Sequence, residues 1–196
     1  MNSRERILSA IKTNQPAASA LPGLDGFPYE PGGMPAKFIS ILEAIGGKAH
    51  VVKGYTEIRE IIKTTFSNAK RIVSTCAEFN EMEKVNGSDD PHLLEDIDLA
   101  IVKATLGVAE NAAIWLTEDM IPHRVLPFIC QYLAAVIHKA DIVPTMHHAY
   151  EKIGNSGYGF GTFIAGPSKT ADIEQSLVLG AHGPKGMTVF VIDEEL

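Results

Sequence analysis

Cysteine is scarce in this chain: Cys76 and Cys130 are the only two in 196 residues. A disulfide scaffold is thereby excluded, a reducing compartment is favoured, and a cytoplasmic location is expected. An iron–sulfur cluster held by this chain alone is excluded too, because two thiols fall short of the usual ligand set. Long apolar runs are also missing. A stretch such as Tyr132–Ile137 is far too short to cross a bilayer. The opening Met1-Asn2-Ser3-Arg4-Glu5-Arg6 lacks the apolar centre of a signal peptide. Positive charge is in deficit, with a formal net charge of −7, which argues against a nucleic-acid partner. No H-x-x-x-H, C-x-x-C, P-loop or G-x-S-x-G pattern occurs. The neighbours His147 and His148 project a third of a turn apart on a helix and do not form a metal pair.

What is present suits one ordinary globular domain. Apolar residues make up 45% and charged residues 21%, enough for a real core and too few charges for disorder. Residues 1–33 read as a separate N-terminal piece. Asn2 and Glu5 fit a capped helix start, with Ile7, Leu8 and Ile11 at helical spacing to about Thr13. A proline- and glycine-rich arm follows. Residues 34–196 form the body.

Within the body, Phe38, Ile39, Ile41, Leu42 and Ile45 make a helical stripe that stops at Gly46-Gly47. Lys48–Lys53 reads as a strand, and Thr56 caps a helix carrying Ile58, Ile61, Ile62 and Phe66. Lys70–Thr75 is a buried-type strand, so a right-handed βαβ unit is expected. Ile97–Lys103, Ala113–Thr117, Tyr132–His138, Thr162–Ala165 and Met187–Ile192 add further strands. Helices are expected from Pro144 to Ile153 and from Thr170 to Leu179. The whole is an α/β layered domain with a mostly parallel central sheet.

Three constellations carry chemistry. The first is Thr162–Ala165 running into Gly166-Pro167-Ser168-Lys169-Thr170-Ala171-Asp172. A strand turning directly into a helix start would offer free N–H groups to an anion, with Lys169 adding charge. Capping by Ser168 or Thr170, with Asp172 complementing the dipole, is the plain alternative. The second is Gly180-Ala181-His182-Gly183-Pro184, where His182 is a proton-handling group or a structural histidine paired with Asp172. The third is Gly107-Val108-Ala109-Glu110, which puts a carboxylate between apolar strands as a base or nucleophile, or else leaves it in a solvated turn. Arg124 is a further carboxylate-binding candidate. The glycines at 154, 157, 159 and 161 precede a strand, so they make a loop or lid and no dinucleotide fingerprint.

The run 166–174 followed by 180–184 closely resembles the C-terminal signature of the lactate-utilisation (LUD) domain family, within it the protein C type. Gly107–Glu110, the Arg124-x-Leu126-Pro127 pattern and Ala140–Pro144 match in the same order. The resemblance implies a fold like that of the ribose-5-phosphate isomerase, glucosamine-6-phosphate deaminase and CoA-transferase superfamily. It implies a role in oxidising L-lactate to pyruvate beside iron–sulfur partner proteins, this chain binding a small carboxylate or seating the partners. Glu110, His182 and Asp172 are then the catalytic candidates, and Lys169, Ser168, Thr170, Gly166 and Arg124 the binding ones. One departure stands out: the family usually continues the Glu110 motif with Thr-Gly-Thr, where this chain has Asn111-Ala112-Ala113. A sugar-phosphate isomerase or CoA transferase using Glu110, and a non-catalytic scaffold, are the alternatives.

Overall fold

A computed structural model describes residues 2–17, 19, 32–87, 90–171 and 177–194. Helix α1 (Ser3–Thr13) starts on the expected capping box. Asn2 Oδ1 accepts the Glu5 N–H, and Glu5 returns the favour to the Asn2 N–H, both at 2.9 Å. None of its residues is buried. The body opens with α2 (Met34–Ala44), β1 (Lys48–Val52), α3 (Tyr55–Thr65) and β2 (Ile72–Ser74). It continues through β3 (Leu99–Lys103), β4 (Leu106–Val108), β5 (Ala113–Thr117), α4 (Leu126–Ile129), β6 (Tyr132–His138), β7 (Ile142–Val143) and α5 (Met146–Ile153). Strands β8 (Gly161–Ile164), β9 (Lys169–Ala171), β10 (Leu177–Leu179) and β11 (Gly186–Ile192) complete it.

The central sheet has five strands in the order β1-β11-β6-β3-β2, all parallel. Its strands read as continuous apolar runs because both faces are covered. Alternation sorts them cleanly. Leu99, Ile101, Ala134, Val136, Phe190 and Ile192 pack under Ile58 and Ile62 of α3. Ala100, Val102, Leu133, Ala135, Val189 and Val191 face Phe38 and Leu42 of α2 and the second sheet. That second sheet runs β7-β4-β5-β8, with β4–β5 and β5–β8 antiparallel. Its far face meets Ala149 and Ile153 of α5. The two sheets approach closely at Gly107, where a Cβ would lie 2.8 Å from Ile137 Cδ1. A glycine there is needed for space rather than for its backbone freedom.

Four expectations meet the structure as follows. First, the expected parallel strand–helix–strand unit is present, with β1 and β2 in one sheet and joined by α3, but the two strands are its opposite edges, because β1 finds its partner in the late strand β11 and β2 finds its own in β3. Second, Ala113–Thr117 and Thr162–Ala165 belong to the second sheet rather than the central one. Third, Thr56 does not cap α3 and Pro144 does not open α5. Gly54 and Thr145 hold the N-cap positions without side-chain caps, and the Lys53 N–H is taken by Glu57 instead. Fourth, no helix runs from Thr170 to Leu179. β9 and β10 form an antiparallel pair, with Lys169 opposite Leu179 and Thr170 opposite Val178. Ser168 fixes the extended course: its N–H donates to the Pro184 carbonyl at 2.8 Å, and its carbonyl accepts from Gly180 at 3.0 Å. Two anchors of that kind outweigh a modest helical preference.

Candidate functional site

At the amino end of the central sheet, three parallel strands begin side by side and leave a partly enclosed cleft of about 490 Å³. Its frame comes from two backbone bonds between strand starts: Tyr132 N–H to Asp98 O and Lys185 N–H to Gln131 O, both 2.9 Å. Tyr132 lines it with 39% of its surface exposed, its ring edge-on to Phe66 at 5.5 Å. Lys185 Nζ stands 5.7 Å from the centre of the Tyr132 ring. Gly186 lets this ring lie on the strand, since a Cβ there would sit 2.7 Å from Tyr132 Cδ1. Lys48 adds a second cation and Asp98 a carboxylate. Asp98 accepts the Arg71 N–H at 3.1 Å and the Lys70 N–H at 2.6 Å, which holds its carboxyl below the usual range.

The C-terminal signature approaches this cleft through Lys169, which lies beside the lining residue Gly46. Ser168 ties the segment starting at Gly166 to the Gly180–Pro184 segment through the two bonds above, and Gly183 packs on the Ser168 side chain. Thr170 Oγ1 and His182 Nδ1 lie 3.5 Å apart, at the edge of hydrogen-bonding range, and His182 is exposed. Gly166 turns with φ of 70° against Ile45. The next residue but two, Lys169, runs over Gly46, its Nζ 3.9 Å from where a Cβ would be. Gly46 also lines the cleft. The structure therefore brings Gly166, Ser168, Lys169, Thr170 and His182 together. It does so without a helix start, so the helix-dipole argument for an anion at Ser168 and Thr170 does not hold here. Gly180 likewise leaves a hairpin, with φ of 79°, and does not end a helix. Asp172 lies outside the described residues.

Glu110 and Arg124 are engaged elsewhere. Glu110 sits in the β4–β5 turn, exposed rather than enclosed between strands, and its Oε2 accepts the Met146 N–H at 2.9 Å. It thereby supplies the cap that α5 lacks, since the Thr145 hydroxyl is paired with His148 Nδ1 at 2.8 Å. Asn111 Oδ1 closes the same turn on the Ala113 N–H, and Ala112 carries φ of 56°, the one positive value off glycine among the described residues. Arg124 pairs with Glu118 at 2.7 Å and lies over the Phe160 ring. Glu118 in turn takes the Gly159 N–H at 2.6 Å. The glycine loop is therefore pinned to the second sheet, with Tyr158 edge-on to Trp115 at 5.3 Å, and it lines a separate hollow of about 380 Å³.

Lys48, Lys185, Tyr132, Asp98 and Gly46 were not among the residues expected from sequence. Each sits at the start of a different strand or the end of a helix, where no spacing rule links them. The two cysteines pack on opposite faces of the central sheet. Burial raises Cys76 to about 11 and Cys130 to about 12, so neither supplies a ready thiolate.

An all-parallel central sheet backed by a second mixed sheet and flanked by helices makes this a layered α/β protein. The LUD domain profile matches residues 77–192, more than half of the chain, and the chain belongs to that family. It is 31% identical to lactate utilization protein C of Oceanobacillus iheyensis over 113 residues, 55% of this chain and 48% of that protein. Against lactate utilization protein C of Bacillus pumilus it is 33% identical over 109 residues, 53% of this chain and 45% of that one. The chain thus spans about half the length of these curated relatives. It is also 24% identical over 162 residues to the uncharacterized protein YkgG of Escherichia coli, covering 80% and 68%. A crystal structure of a DUF162 family protein from Deinococcus radiodurans superposes with a TM-score of 0.66 at 18% identity, over 85% of this chain and all of that one. That likeness carries the fold.

Proposed function

We propose that this chain is a cytoplasmic subunit of an L-lactate oxidation system, and that it works with iron–sulfur partner proteins while carrying no cluster itself. Relatives named for lactate utilization support the process. The observation that carries the chain's own part is the cross-bonded signature, whose Lys169 lies beside a cleft lined by Lys185 and Lys48. Two lysines in the lining and a third beside Gly46, on a chain of net charge −7, favour an anionic ligand. Helix α1, whose Ile7, Leu8 and Ile11 are exposed, supports a second task of seating a partner. The CoA-transferase alternative loses weight, because its one candidate nucleophile, Glu110, is spent on capping α5. Among the described residues, no helix is long and apolar enough to cross a membrane.

The test is isolation of the tagged chain from cells grown on L-lactate, with mass spectrometry of what accompanies it. Two cysteine-rich, cluster-bearing proteins are the expected companions. Recovery of the chain alone, together with undiminished growth on L-lactate after its deletion, would reject the proposal.

A further inference from the structure

We infer that the amino-end cleft binds a nucleotide-class ligand, a planar base joined to phosphate, with the base against Tyr132 and Phe66 and the phosphates toward Lys48, Lys169 and Lys185. The inference rests on reading the cleft as an anion site, and it names the class of anion. Size is the first argument. A cleft of about 490 Å³ lies within the range of pockets that enclose drug-sized and cofactor-sized molecules, and a three-carbon hydroxy acid would fill a small part of it.

The lining is the second argument. A site for a bare carboxylate needs donors and cations, and it gains nothing from an aromatic floor. Here Tyr132 stays 39% exposed inside a concavity, braced by Phe66 and brought flush with the backbone by Gly186. A braced, part-exposed ring beside lysines is how proteins combine base stacking with phosphate neutralisation. Asn68 also lines the cleft, and its amide carries both donor and acceptor for a base edge.

Charge is the third. Among the described residues Asp98 is the one carboxylate in the lining, and its oxygen Oδ2 is turned to the Lys70 and Arg71 N–H groups. Against it stand Lys48 and Lys185 in the lining and Lys169 beside Gly46, which leaves room for the Lys169 chain. A side chain at position 46 would fill the space between signature and cleft.

The test is calorimetric titration of the full chain with ADP, adenosine, inorganic diphosphate and L-lactate. ADP is expected to bind at least about tenfold more tightly than adenosine or diphosphate. Lys185→Ala and Lys48→Ala, both exposed positions, should each weaken ADP about fivefold or more. Tyr132→Leu should erase the advantage of ADP over diphosphate. Diphosphate binding as tightly as ADP would overturn the nucleotide assignment and leave the anion site standing. L-lactate binding that exceeds ADP and falls in Lys185→Ala would overturn it in favour of a small carboxylate. ADP binding indifferent to both lysine variants would place the ligand elsewhere and overturn the inference. Failure of all four probes would sink the inference and the anion reading together.

Discussion

The Glu110 carboxylate accepts the Met146 backbone N–H at 2.9 Å, joining the β4–β5 turn to the first residue of α5 across 36 positions of sequence. A carboxylate at a helix start satisfies an orphan donor and complements the dipole, together worth about 1 kcal/mol. Glu110→Ala should therefore lower unfolding stability by about 1 kcal/mol, read from the urea midpoint. Glu110→Gln keeps an acceptor and should retain most of it. A nucleophile or base would behave differently: Gln would then abolish lactate-dependent growth while stability stayed high.

Beside it, Ala112 holds φ of 56° with its methyl fully buried. The left-handed conformation costs alanine about 1 kcal/mol, and burial of one methyl returns roughly 0.8 kcal/mol. A glycine at this point would fit the backbone. Ala112→Gly should be close to neutral, within about 0.5 kcal/mol, once the freer unfolded chain is counted. Ala112→Val should cost more than about 2 kcal/mol, since a branched chain meets both the backbone strain and the packed surroundings. Paired denaturation curves for the two variants decide the matter.

Acid should act on Asp98. Its folded pKa is lowered by the Arg71 and Lys70 N–H groups, so the carboxylate contributes stability above the unfolded value, near 4 for Asp, and loses it as pH falls through the folded value. Glu118, lowered by the Gly159 N–H and Arg124, follows the same sign. Stability curves from pH 6 downward should fall for the parent and for Asp98→Asn, with the gap between them closing in acid. A gap that widened on acidification would contradict the assignment.

Thiol chemistry gives a simpler check. Cys76 and Cys130 are buried and their pKa values are raised to about 11 and 12. Iodoacetamide at pH 7.5 should label neither in the folded chain and both in urea. Fast native labelling of Cys76 would mean that the turn over it opens readily.

The glycine loop has its own anchor. Glu118→Ala removes the acceptor of the Gly159 N–H and the partner of Arg124. Amide exchange at residues 156–160 should speed up by an order of magnitude or more, while the central strands remain protected.

The strands of the central sheet were legible in the sequence because burial on both faces turns them into compact apolar runs, and Tyr132–His138 needed no correction at either end, whereas the short strands β4, β7, β9 and β10 were not read as strands. The capping box at Asn2 and Glu5 was equally local and equally readable. Sheet order was not, since nothing near Lys48–Val52 says that its partner lies at Gly186–Ile192. The same distance hid the cleft. Lys48, Asp98, Tyr132 and Lys185 are ordinary residues until parallel pairing sets their strand starts side by side. The stretch after Ser168 misled for a different reason. Its short polar run satisfies helix spacing, but the anchors at Gly180 and Pro184 are tertiary and leave no local trace.

One consequence of the strand order concerns synthesis on the ribosome. β11 is made after β6 and long after β1, yet it lies between them. From the time β6 emerges until β11 follows, the nascent chain thus exposes two unpaired apolar edges, those of β1 and β6, in the middle of its future sheet. Its safe assembly depends on whatever shields those edges until β11 slots in.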